Sequence, residues 1–166
     1  MPGWSTEIAE EFVRLAAADG AAFSQVHLQE LVYIAHGWCL ALTGQPLTGD
    51  RPEAMEHGPE YRRLANALVR SGIRAVTRVE IVGAALSETK LDAVSVDANF
   101  HPDELAIVAQ VYTHYGHLRA SELAQLTRAD DTPWAKVYAG GSGKGRDISH
   151  TMIRDQFAEI AAKPAG

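Results

Sequence analysis

Apolar residues fall into helical periods along most of this chain. Ile8, Phe12 and Leu15 recur at i, i+4 and i+7 and predict an amphipathic helix over 5–18, with Ser5 or Thr6 to cap it and Gly20 to end it. Ser24 is a good N-cap for a second helix over 25–43, where Leu28, Leu31, Val32, Ala35 and Leu42 line one face and Gly44 supplies the stop. Tyr33 and Trp38 widen that apolar belt, which makes this helix central in the fold. Residues 45–58 are turn-rich, with Pro46, Gly49, Pro52 and Gly58. Pro59 fits the first position of a third helix over 59–71, with Leu64 and Leu68 inward and Gly72 as its end. The pattern then changes: 74–82 and 91–97 are β-branched with partial alternation and predict two strands joined by a long loop. Such a pair is marginal in water by itself and should pack on the helices.

Helical spacing returns at Pro102. A helix over 102–115 has Leu105, Val108 and Tyr112 inward and Gly116 as its stop. Ser121 caps a short helix through Leu126, and Thr132-Pro133 opens a further short turn carrying Trp134 and Val137. The run 140–145 is a glycine-rich, flexible connector, and Ser149 caps a last helix striped by Ile153, Phe157 and Ile160. The expected fold is α+β and mainly α: one compact helical domain over 1–166, with about six or seven helices and a small β-hairpin.

Composition narrows the function classes. Of 166 residues, 46% are apolar and 22% charged, as in an ordinary globular protein. The formal charge of −6 favours basic partners over bare nucleic acid, whose phosphates need clustered Lys and Arg. Arg62, Arg63, Arg70, Arg74 and Arg78 form the only basic concentration, and no aromatic residues interleave with it, so it reads as a solvated face. The single cysteine, Cys39, lies mid-helix between Trp38 and Leu40 and reads as a buried structural thiol. The first residues lack the basic and apolar regions of a signal peptide, and no stretch reaches the ~20 apolar residues of a membrane helix, so a cytoplasmic protein is expected.

Each candidate chemistry has a simpler alternative. Gly143-Lys144 sits in a glycine-rich run, but Tyr138 and Gly145 occupy the positions where a P-loop needs Gly and Ser or Thr. His114 and His117 have metal-like spacing, yet no third ligand stands near them in sequence, so no metal and no cofactor is expected. His36 or His57 could act as a general base oriented by Glu53 or Glu56, but no nucleophile accompanies them. The structural reading has His36 hydrogen-bonding to the 44–58 turn and fixing its path. Glu53 serves either a half-buried contact at the Gly58-Pro59 corner or a surface charge. Trp134 reads as packing rather than contact, and Tyr61, beside Arg62 and Arg63, as exposed.

The segments Leu28-Gln29-x-Leu31-x-Tyr33-x-Ala35-His36-Gly37-Trp38, Gly44-Gln45-Pro46-Leu47 and Glu53-Ala54-x-x-x-Gly58-Pro59-x-Tyr61 carry a further signal. Together with Ser121-Glu122-Leu123, Thr127, Pro133-Trp134 and Ile148, they make the chain resemble the Panacea domain, or SocA-like antitoxin (phage-associated protein) family, from about Ser24 to Phe157. The chain departs from the family pattern at Met55, Glu60 and Arg128. The resemblance implies an antitoxin that neutralises a cognate toxin protein by direct binding, with no catalytic residue. It also implies that Tyr33, Trp38, Glu53, His57, Gly58, Pro59, Tyr61 and Trp134 form the partner-binding neighbourhood. Relatives of this kind also suggest a proteolytic adaptor that delivers a toxin to a cellular protease. A small enzyme of unknown reaction is a third class.

Overall fold

The computed structural model describes residues 3–69 and 100–163. Among them are seven α-helices and one two-stranded antiparallel hairpin, so the chain is mainly α with a small β element. The order is α1 (Ser5–Ala18), α2 (Gln25–Thr43), β1 (Glu53–Met55), β2 (Gly58–Glu60), α3 (Arg62–Leu68), α4 (Pro102–Tyr115), α5 (Ala120–Thr127), α6 (Pro133–Tyr138) and α7 (His150–Ala162).

α2 is the axis. The Ser24 hydroxyl accepts from the His27 amide at 3.1 Å, and Gly44 closes the helix in the left-handed region. From Leu28 to Leu40 every residue but Trp38 is buried, because α1, α3, β2, α4, α5 and α7 all pack around it. The expected face of Leu28, Leu31, Val32 and Ala35 lies in this core, and Cys39 is buried as expected. Leu42 does not follow them: it is 63% exposed, because the last turn of α2 runs past the neighbours that cover its middle. It lines an apolar groove against α4 instead.

The amphipathic stripes of α1 and α7 pack as the periodicity predicts, with Ile8, Phe12, Ile153 and Phe157 fully buried. The helix starts shift in two places. The N-cap of α1 is Trp4, whose amide donates to Glu7 at 3.0 Å, while Ser5 sits inside the helix and donates its hydroxyl to Asp50. The N-cap of α5 is Arg119 and not Ser121, with Glu122 accepting the Arg119 amide at 3.0 Å. In both cases a glutamate three residues on satisfies the free amide, which moves the helix start upstream of the hydroxyl residue.

The hairpin lies where the sequence read only turns. Glu53 pairs with Glu60, Ala54 with Pro59 and Met55 with Gly58. The strand pair expected over 74–82 and 91–97 lies outside the described residues, as do Gly72, Arg70, Arg74 and Arg78. Pro59 belongs to β2 and does not open a helix; α3 begins at Arg62. The cause is Gln29, whose side-chain amide donates to the Tyr61 carbonyl at 3.2 Å and accepts the Tyr61 amide at 2.9 Å. With both backbone groups held from α2, residue 61 stays extended (φ −87°, ψ 116°) and the helix starts after it.

The expected flexible connector at 140–145 is pinned. The Gly145 amide donates to the Ala54 carbonyl and the Ala54 amide to the Arg146 carbonyl, each at 2.8 Å. The Ile148 amide donates to Pro52 at 2.9 Å, so this segment runs as an extra ribbon along β1.

Candidate functional site

The corner built by β1, β2 and Tyr61 is held from every side, and each hold is local chemistry. His36, fully buried on α2, points Nδ1 at the turn before the hairpin. That nitrogen accepts from the Leu47 amide at 3.2 Å and the Thr48 amide at 3.3 Å, with the Thr48 hydroxyl also at 3.3 Å. Two backbone donors fix the tautomer: Nδ1 is the acceptor, so Nε2–H donates to His150 Nδ1 at 3.0 Å. Burial, with His150 adding to it, lowers the His36 pKa to about 3, so the ring is a neutral acceptor at ordinary pH. This is the structural role the sequence predicts for His36.

Around the hairpin itself, Trp134 donates its indole N–H to the Met55 carbonyl at 2.8 Å and stacks on Tyr138 at 5.0 Å between centroids. Glu53 is half-buried and pairs with Arg62 at 3.0 Å, which joins the two alternatives left open for it: a polar contact at the corner made by a surface cation. Gly58 has φ +118°, as the sharp turn requires, and a Cβ there would lie 2.9 Å from the Arg128 Cδ. Arg128 in turn stands 3.9 Å from Glu30, a carboxylate on α2 that is only 3% exposed. The Thr127 hydroxyl donates to the same carboxylate. Burial raises the Glu30 pKa, and Thr127 and Arg128 oppose the rise. Glu60 is also raised, by burial and then by Glu53, with His57 opposing.

The residues expected to form one partner-binding neighbourhood separate into three places. Glu53, His57, Gly58, Pro59 and Trp134 gather at the hairpin, where His57 is exposed and Gly58 and Pro59 are buried. Tyr33 and Tyr61 are fully buried in the core. For Tyr61 this corrects the expected exposure: the Gln29 clamp turns it inward, and its hydroxyl lies 3.5 Å from the Thr48 hydroxyl. Tyr33 packs edge-on against Phe157, and burial followed by the Glu30 charge pushes its hydroxyl pKa up. Trp38 belongs to the groove on α4, where its indole N–H donates to the Tyr115 hydroxyl at 3.3 Å.

Two recesses result. A cleft of about 170 Å³ opens at the corner, lined by Gln29, Glu30, Met55, Glu56, Glu60 and Lys144 among others. A larger, mostly apolar groove of about 610 Å³ runs between Trp38, Leu42, Ile107, Val111 and Tyr115. Sequence reasoning missed Gln29, Glu30, Arg128 and Lys144 as corner residues. The first two did carry a signal, an adjacent polar pair inside an otherwise apolar helix. Arg128 and Lys144 reach the corner through tertiary packing alone. No group of three or more His, Cys, Asp or Glu residues close enough to hold a metal ion occurs among the described residues. No helix among them is long and apolar enough to cross a membrane.

The family described as Antitoxin SocA-like, Panacea domain, matches residues 28–135, which span α2, the hairpin and the start of α6. Antitoxin SocA of Caulobacter vibrioides (strain NA1000 / CB15N) is 28% identical over 152 residues, covering 86% of this chain and 76% of that protein. No solved structure matches.

Proposed function

The chain belongs to the SocA-like, Panacea-domain antitoxin family, and on that premise we propose that it neutralises a cognate toxin by direct protein–protein binding, acting in the cytoplasm and without a catalytic step of its own. The observation that supports this reading is the corner. A hairpin of two three-residue strands is too short to hold its shape alone. Here it is fixed by the Gln29 clamp, the His36 acceptor, the Trp134 donor and the 145–148 ribbon, while Glu56 and His57 at its tip stay exposed. A surface fixed before binding loses little conformational entropy on association, which suits a binding protein. The buried Tyr33 and Tyr61 shape that surface from beneath, and Glu53, His57 and Trp134 stand at it.

A second reading, delivery of the toxin to a protease, draws on the groove at the other end of α2. An adaptor holds two partners at once, and the corner cleft and the Trp38–Tyr115 groove use different turns of that helix.

Co-expression with the product of the adjacent gene tests both. Growth arrests with that product alone and recovers when this protein is added, with the two co-purifying. Recovery only in cells that contain a particular protease, with toxin levels falling, replaces neutralisation by delivery. A harmless neighbour removes the antitoxin reading.

A further inference from the structure

The corner cleft holds an incomplete ion pair at its back. Glu30 is 3% exposed, and the Arg128 guanidinium approaches it only to 3.9 Å, beyond hydrogen-bond range. Arg128 Nε is buried without a hydrogen-bond partner. The Thr127 hydroxyl reaches one carboxylate oxygen, and among the described residues no hydrogen bond reaches the other. Burying a carboxylate is costly, and burial raises the Glu30 pKa even though Thr127 and Arg128 oppose the rise. At the front of the same cleft stand Glu60, also raised, and the exposed Glu56. Val26, Met55 and Pro59 supply apolar walls, and Lys144 is the one lysine or arginine lining it among the described residues. Three acidic residues therefore line a recess of about 170 Å³, room for one long side chain and not for a folded segment.

Resting on the antitoxin reading, we propose that this cleft is a socket for a single cationic side chain of the partner, an arginine or a lysine inserted between Glu30 and Glu60. The aliphatic stem packs on Val26, Met55 and Pro59, as long basic side chains do on apolar surface. The head group supplies Glu30 with the donor it lacks and neutralises Glu60. A guanidinium suits the site better than an ammonium, because its planar fork can donate to both carboxylates at once. The exposed Lys144 sits at the lip and moves aside on entry.

The test needs no toxin at first. The ¹⁵N-labelled protein is titrated with N-acetyl-arginine amide, N-acetyl-lysine amide and N-acetyl-norleucine amide, following backbone amide shifts. Saturable shifts at Met55, Glu56, Gly58 and Glu60 are expected with the arginine compound, weaker with lysine and absent with norleucine. Glu60→Gln should weaken arginine binding by about tenfold at a thermal midpoint no lower than that of the wild type. Equal shifts with norleucine, or none with any compound, overturn the socket. With toxin in hand, Glu60→Gln and Glu56→Gln should each weaken the complex by tenfold or more. Arginine binding with unchanged toxin affinity overturns the socket as a partner site and leaves the antitoxin reading standing. A wild-type chain that binds the arginine compound but rescues no growth overturns that reading alone.

Discussion

His36 Nδ1 faces two backbone amides and a hydroxyl, so protonating it would set both amides against a new N–H. The folded pKa of about 3 lies below the ordinary 6.5, so the folded state binds this proton less readily than the unfolded chain. The stability His36 contributes is therefore whole above about pH 6.5 and is lost as pH falls toward 3. His150 shifts in the same direction, by burial and then the nearby Arg51. Glu30 works in the opposite sense: its raised carboxyl regains stability as pH falls, so a whole-protein pH profile mixes the two. Comparing wild type with His36→Gln separates them. The substitution should cost about 2 kcal/mol near neutral pH by leaving a turn amide unpaired, and urea unfolding should show that gap narrowing below pH 6.5. A gap that stays constant to pH 4.5 would show that His36 does not hold the turn as a neutral acceptor. The role of His36 was legible because a histidine in an apolar helix, ahead of a turn full of free amides, has few other uses. The burial of Tyr61 was not legible, because it depends on Gln29, 32 positions earlier.

At the level of elements, the helices were readable and the hairpin was not. Helical periods run over many residues and leave repeated apolar marks, as Ile8, Phe12 and Leu15 do in α1. Three-residue strands carrying Gly58 and Pro59 leave none, and the ribbon beside β1 comes from residues about 90 positions away. The same corner predicts a backbone effect. Gly58 at φ +118° leaves no relaxed conformation for a β-branched residue, so Gly58→Val should lower stability by about 1–3 kcal/mol. An unchanged thermal midpoint would mean the corner does not depend on that dihedral angle. A second glycine acts through space. A Cβ on Gly37 would lie 2.3 Å from the Phe157 ring, where α2 and α7 cross closely. Gly37→Ala should cost about 1–3 kcal/mol through overpacking, and adding Phe157→Leu should recover part of it in a double-mutant cycle. Strict additivity of the two substitutions would contradict the close approach.

On the scale of the whole molecule, the surface carries two recesses: a polar cleft at the corner, and an apolar groove at the other end of the central helix. The matched family stretch ends at residue 135, yet α7, beyond it, supplies Phe157 and His150 to the packing of α2 and of the turn. The fold class and the role of α2 were therefore legible from the sequence, while the grouping of Glu30, Glu60 and Arg128 needed the folded chain. A stable neutralising complex should bury on the order of 1,200–2,000 Å² in total. With this chain at −6, a basic partner face should associate more slowly as salt rises, with less effect on dissociation. The most direct measurement mixes the two purified proteins with no third component and follows complex formation by calorimetry alongside the toxin's own activity. Direct neutralisation predicts a stoichiometric complex in which toxin activity falls in step with occupancy. Two proteins that rescue growth together in cells, yet form no complex when purified or leave the bound toxin fully active, would contradict it.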